Sequence, residues 1–167
     1  MKQGRIDSIR EPERETPVRG EVDVLVAGAG PAGIMAAMAA AGDGLKVALV
    51  ERHAFAGGNM TTGLPLLGFL SQKGEPIIRG LPQKFIDRLT AVNAASEHRR
   101  CPLHVSLTLV DPEAVKTVAL QMLAERGVEA SFHSFISAAV KDGDVLKGII
   151  FEGKGGREAI LAKMVID

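Results

Sequence analysis

One cysteine, Cys101, stands in 167 residues, so neither a disulfide nor an all-cysteine metal cluster can form within a single chain. A reducing, cytoplasmic setting is the expectation that follows. Charge of one sign is not in excess either, because 20 Lys and Arg balance 20 Asp and Glu. A polyanion partner leaves a basic footprint, so no nucleic-acid binding is expected. Long apolar runs are missing as well: the longest is interrupted by Gly and Pro and is too short to span a bilayer. No basic, apolar, small-residue leader opens the chain, and no membrane association is expected. Residues 1–20 instead mix Arg, Glu and Pro (REPERETPVRG at their end), which predicts a disordered or loosely docked arm ahead of a domain over residues 21–167.

What is present is concentrated between Val22 and Glu51, VDVLVAGAGPAGIMAAMAAAGDGLKVALVE. Val22, Val24, Leu25 and Val26 form the apolar, β-branched run of a parallel strand buried on both faces. The turn Gly28, Ala29, Gly30, Pro31, Ala32, Gly33 follows at once, which puts GxGxxG between a strand and a helix. Gly28 permits the tight turn, Gly30 lets the backbone approach a pyrophosphate, and Gly33 lets the helix lie against the strand. A small-residue helix from Ala32 to about Ala41 then points its free N–H groups at that phosphate. Lys46 to Val50 is the second strand. Glu51 ends it, where a carboxylate accepts hydrogen bonds from ribose hydroxyls and repels a 2′-phosphate. A lone GxGxxG is often a mere flexible loop; the flanking strand, helix and acid are what argue for a dinucleotide site.

After Glu51 the run RHAFAGGNMTTGLPLLGFL is too irregular for a long helix and reads as a binding loop. Gly57 and Gly58 permit close backbone approach, and Thr61 and Thr62 offer hydroxyls to a phosphate or ring. The alternative is a plain connecting loop. Leu81, Phe85, Ile86 and Leu89 set a helical rhythm over residues 76–95, with Lys84, Asp87 and Arg88 outside. A polar arginine-containing loop then precedes a strand at 105–110. Cys101 lies beside Arg99 and Arg100, which would favour a thiolate; an incidental loop cysteine is the plainer reading.

Asp111 and Pro112 have the form of a helix start, and Val115, Val118, Ala119, Met122 and Leu123 share one face up to Gly127. With the strand at 128–132 this predicts the crossover to a third parallel strand. Three runs, 135–140, 145–151 and 157–161, are separated by KDGD and GKGG and read as an antiparallel meander. Residues 162–167 (AKMVID) begin what reads as a further buried strand. A chain ending inside a strand is expected to expose an apolar sheet edge and to form homo-oligomers through it.

The order GAGPAG, LVERHAFAGGNMTTGL, IIRGLPQKFIDRL and LTLVDPEAVKTVALQMLAERGVEA resembles the FAD-dependent oxidoreductases of the glutathione-reductase-like FAD/NAD(P)-binding superfamily. Within it the chain looks closest to the heterodisulfide-reductase-A-like branch. The resemblance covers residues 22–167. It implies an α/β, Rossmann-like fold with a parallel central sheet, helices on one face and a three-stranded antiparallel meander on the other. It also implies a site for FAD: Gly28, Gly30, Pro31, Ala32 and Gly33 at the pyrophosphate, and Glu51 at the adenosine ribose. Arg52 and the backbone of Ile136 would then lie at the adenine, with Gly58, Asn59 and Thr61 nearer the pyrophosphate and flavin. Family members continue from a strand like AKMVID into an ATGDGD-type segment and a substrate domain, so the chain is expected to be the N-terminal portion of a longer flavoprotein.

No pairing of His53, His98, His104 or His133 with an acid suggests a catalytic dyad or metal site. His104 and Ser106 would reach a substrate only if their strand faced the flavin, so no catalytic residue is assigned. The expected function is redox chemistry at the flavin of the complete protein, on a small-molecule substrate that the residues do not specify. Two other readings stay open: a nucleotide-binding module or relic without turnover, and an NAD-dependent dehydrogenase.

Overall fold

The computed structural model describes residues 7–167. Of the expected arm, residues 1–6 lie outside the described residues, and 7–17 carry no regular secondary structure and are almost all exposed. The first strand begins earlier than the apolar run suggested, as β1 (Val18–Ala27). It is followed by α1 (Pro31–Gly42) and β2 (Val47–Val50). A 3-10 turn (Gly58–Thr61) and β3 (Leu66–Leu67) lead to α2 (Leu81–Ala91). Next come β4 (Arg99–Cys101), β5 (Val105–Thr108), α3 (Pro112–Glu125) and β6 (Glu129–Ser131). The chain ends in β7 (Phe135–Asp142), β8 (Val145–Gly153) and β9 (Gly156–Ile166).

Six strands make one mixed sheet in the order β6-β2-β1-β9-β8-β7, and β3-β5-β4 make a small antiparallel sheet. β1 runs parallel to β2, from Val24 opposite Val47 to Ala27 opposite Val50, and parallel to β9 as far as Val26 opposite Ile166. β6 adds parallel to β2 through Leu49 opposite Ala130, so α3 and β6 form the expected crossover. All four residues of β2 are buried, because both faces of the strand are covered.

The alternation of side chains sorts the core into two layers. Val24, Val26, Val47 and Leu49 pack with the helices, including Ile34, Met38, Phe85, Leu89, Val115 and Leu123. Leu25, Ala48 and Val50 point the other way and pack with Ile149 and Phe151 of the meander. The fold is thus the α/β arrangement expected: helices on one face and the meander, β7-β8-β9, on the other.

The structure corrects three expectations. The runs 157–161 and 162–167 fall in one strand, β9, which pairs antiparallel with β8 over Gly156–Leu161 and parallel with β1 over Ala159–Ile166. Consequently the last strand is interior; β6 and β7 are the outer strands, and only beyond Leu161 does β9 lack a neighbour on its β8 side. The helix expected from residue 76 starts at Leu81, after Gly80 at φ +69. The arginine-containing segment at Arg99 is a strand, held by Arg100 opposite Ser106.

Polar contacts fix the frame. The Asp111 carboxylate caps α3 by accepting from the amides of Glu113 (2.8 Å) and Ala114 (3.0 Å). Arg88 of α2 makes a two-pronged pair with Glu125 of α3, at 2.9 and 2.7 Å. Asp23 of β1 joins three segments, accepting from Lys163 Nζ of β9 (2.7 Å) and from the amide of Lys46 ahead of β2 (2.9 Å). No helix among the described residues is long and apolar enough to cross a membrane.

The Lys163 hydrogen bond, then that from Lys46, holds the Asp23 carboxyl below its ordinary value of 3.8. The same contact with Asp23 raises Lys163 above 10.5. A lowered carboxyl stabilises the fold above its ordinary pKa and loses that contribution as pH falls through the lowered folded value. A raised lysine contributes below its ordinary pKa and loses the contribution as pH rises through the raised one. Asp23→Asn is therefore expected to give a stability deficit that is flat across neutral pH and closes in acid and in strong base. Urea unfolding of both proteins across pH checks this; a deficit that widens in acid contradicts it.

Candidate functional site

The parallel strands β1, β2 and β9 deliver their C-terminal ends to one place, where open α/β sheets carry ligands. Gly28, the first residue past β1, has φ +96, and its amide donates to Val50 O at 2.8 Å. Gly30 is the N-cap of α1 at φ −70 and has no side chain to cap it; Pro31 follows. The first helical bond is Ile34 N to Gly30 O at 3.0 Å, which leaves the amides of Ala32 and Gly33 ahead of it. A Cβ at Gly30 would meet nothing within 4 Å, whereas one at Gly33 would lie 2.0 Å from Gly28 O. Gly30 faces open space, and Gly33 is the contact between helix and turn.

A second loop abuts the turn. Gly57 N donates to Ala29 O at 2.8 Å, and a Cβ on Gly58 would stand 2.9 Å from Gly30 Cα. Asn59 is exposed beside it. The hydroxyls of Thr61 and Thr62 are spent within the loop, donating to Gly58 O (2.7 Å) and Asn59 O (2.8 Å). In this arrangement both hydroxyls face loop carbonyls.

Glu51 is buried, with 8% of its surface exposed. Its Oε2 accepts from the amide of Ala29 at 2.6 Å and its Oε1 from that of His53 at 2.8 Å. Its own main chain is tied on both sides, N to Ser131 O (2.8 Å) and O from Ser134 N (2.9 Å). Each carboxylate oxygen keeps lone pairs for a hydroxyl donor. The acid, the glycine turn and the start of the meander are thereby one rigid assembly.

Between them lies a cavity of about 550 Å³. Gly28, Glu51, Arg52 and Ile136 line it, so these four expected residues meet in one place. Gly30, Gly33, Gly58, Asn59 and Thr61 do not line it, and Pro31 and Ala32 border a separate cavity on the helix side. Residues that were not foreseen line it too, among them Leu146 of β8 and Asp167, which follows β9 just beyond Ile166 opposite Val26. The signal for Asp167 was its place at the end of a parallel strand.

The histidines stay out of this cavity's lining. His98 is bonded to Thr108 Oγ1 (2.6 Å) and Gln83 Oε1 (3.1 Å), while His104 and His133 are exposed. Ser106 is fully buried and accepts from the amide of Leu70 at 3.0 Å, a structural task. Cys101 is half-buried in β4, away from the glycine turn. Among the described residues no group of His, Cys, Asp and Glu is placed to hold a metal.

A family model described as FAD dependent oxidoreductase matches residues 23–167. The ferredoxin–NADP reductase of Saccharopolyspora erythraea is 45% identical over 65 residues, 39% of this chain and 20% of that protein. The digeranylgeranylglycerophospholipid reductase of Methanosphaerula palustris is 27% identical over 165 residues, 89% of this chain and 38% of that one. Among solved structures, THI4 of Thermovibrio ammonificans superposes with a TM-score of 0.61 at 19% identity, over 88% of this chain and 57% of that one. The chain spans 20% and 38% of the length of these two curated relatives.

Proposed function

Because the chain belongs to the FAD-dependent oxidoreductase family, we propose that it binds FAD and forms the cofactor-binding part of a flavin-dependent oxidoreductase. The observation that carries this reading is the Glu51 carboxylate, held by two backbone amides on the wall of the 550 Å³ cavity with acceptor capacity to spare. The residues fit the cofactor. Glu51 would hold the adenosine ribose, Arg52 and the backbone at Ile136 the adenine, and Gly30, where no Cβ intrudes, the pyrophosphate together with the amides at the positive end of α1. Bound there, FAD supplies two-electron chemistry at its isoalloxazine ring. The chain's own part is to bind, to orient and, through Glu51, to refuse a 2′-phosphate.

The segments GGNMTTGL and DPEAVK support membership of the heterodisulfide-reductase-A-like branch. The substrate is proposed to be a small redox-active molecule, with no nucleic acid involved, and self-association is proposed to run through the β9 edge beyond Leu161. Titration of the purified chain tests the cofactor. FAD is expected to bind saturably, with ADP competing and FMN failing to compete. Tighter binding of NADH than of FAD would instead favour a nicotinamide-dependent dehydrogenase, and a chain that takes up neither would be a module without turnover.

A further inference from the structure

On the helix side of the glycine turn lies a second cavity, of about 350 Å³, and every residue lining it is apolar. We infer that it is a binding site for a hydrocarbon chain, of the acyl or prenyl class. As a binding site it stands by itself; as a pocket for the apolar part of a substrate it rests on the flavin reading.

The floor is core: Met60, Phe69, Phe85 and Ile86 are at most 7% exposed. The mouth is not, for Leu67 and Ile78 stand 47% and 37% exposed. Apolar surface of this kind, concave and continuous with the core, is what a ligand covers. The cavity is also held open by a built rim. Phe69 O accepts from the amides of Ile77 (3.0 Å) and Ile78 (3.5 Å), and Ser71 Oγ ties the intervening turn by accepting from the amides of Lys73 and Glu75, both at 3.2 Å. Behind the wall, the His98 ring stacks on Phe69 at 4.5 Å between centroids, and both its nitrogens are bonded. Met35 and Met60 give unbranched, adaptable surface that accommodates chains of differing shape.

The lining also determines what does not fit. The pyrimidine edge of a flavin carries an N–H and two carbonyls, and an anion carries charge; no side chain here offers either a partner, and leaving such groups unpaired is costly. A hydrocarbon has no such need. Pro31 and Ala32 at the mouth open the first turn of α1, so a chain seated here ends beside the amides that point toward the phosphate cradle.

Fluorescence titration of the chain with cis-parinaric acid, a polyene fatty acid, tests the site. Saturable enhancement is expected, with about a tenfold loss of affinity in Ile78→Asp and in Leu67→Asp, since a carboxylate at the mouth costs at least that much. Leu120→Asp, at a leucine of α3 that is 50% exposed, is expected to bind the probe like the parent. Competition by palmitic acid or by geranylgeraniol tells the acyl source from the prenyl one. Competition by neither, equal binding in both mouth variants, or displacement of the probe by FAD overturns the inference. FAD affinity is expected to be unaltered in Ile78→Asp. A chain that binds the probe but not FAD would sink the flavin reading and leave this site standing.

Discussion

Gly33→Ala is expected to lower the melting temperature by roughly 10 °C and to abolish measurable FAD binding. The added Cβ would sit 2.0 Å from Gly28 O and 3.1 Å from its carbonyl carbon. Neither neighbour is a flexible side chain, so α1 has to move away from β1. Forcing extra volume into a packed contact costs about 1–3 kcal/mol, and a backbone clash lies at the upper end. For a chain of this size each kcal/mol is worth about 2–4 °C. Binding suffers more than stability, since the helix that shifts carries the amides meant for the pyrophosphate. Gly30→Ala separates the two effects: φ −70 suits alanine and its Cβ meets nothing. That variant is expected to keep its melting temperature and still lose FAD affinity, because its methyl fills the pyrophosphate's space. Equal thermal losses in the two variants would contradict the roles given to these glycines.

The unit from β1 to Glu51 was legible because its determinants are local. Glycine spacing, strand composition and a small-residue helix all fall within one short stretch, and each agrees with the others. The meander was legible from its turn signals for the same reason. What escaped depends on partners distant in sequence. β4 is three residues, two of them arginine, and exists through its register with β5. The rhythm of Leu81, Phe85, Ile86 and Leu89 does not mark where the helix begins: ahead of it the amides of Ile77 and Ile78 bond to Phe69 O in a rim rather than starting a helix. β9 is one strand because β8 flanks it over Gly156–Leu161 and β1 over Ala159–Ile166, an overlap that no single-strand pattern encodes. At the site, Glu51 and the glycines were readable from position alone. The internal use of the Thr61 and Thr62 hydroxyls and the presence of Asp167 in the cavity wall required the packed loop and the β1–β9 register.

One consequence of that packing is that the candidate adenosine cavity is assembled from segments far apart in the sequence. Its floor comes from β1 and β2, its wall from β7 and β8, and its rim from Val165 and Asp167. Glu51 is the joint: through Ala29 it holds the glycine turn, through Ser131 and Ser134 it holds the approach to the meander. A change there is therefore felt in both stability and binding, and conservative and drastic substitutions divide the two.

Glu51→Gln is expected to weaken FAD about 10- to 100-fold, and Glu51→Ala to add a fall of several degrees in melting temperature. In the glutamine variant one oxygen becomes an NH₂ group, which has to face either the Ala29 amide or the His53 amide, donor against donor. The ribose hydroxyls lose a charge-assisted acceptor, worth about 1.5–3 kcal/mol, because the remaining oxygen is neutral and has to serve a backbone amide and the ribose together. At about 1.4 kcal/mol per factor of ten this gives that loss of affinity. Alanine removes both acceptors and leaves two amides without partners, at about 1–3 kcal/mol for each that is cut off from water. It also removes the charge that repels a 2′-phosphate, so the ratio of ADP to 2′-phospho-ADP affinity is expected to fall in Glu51→Ala. Calorimetric titration with FAD, ADP and 2′-phospho-ADP, alongside thermal melts, reads all three effects. Unaltered FAD affinity in Glu51→Gln would mean that the carboxylate serves the fold alone and that the ribose is held elsewhere.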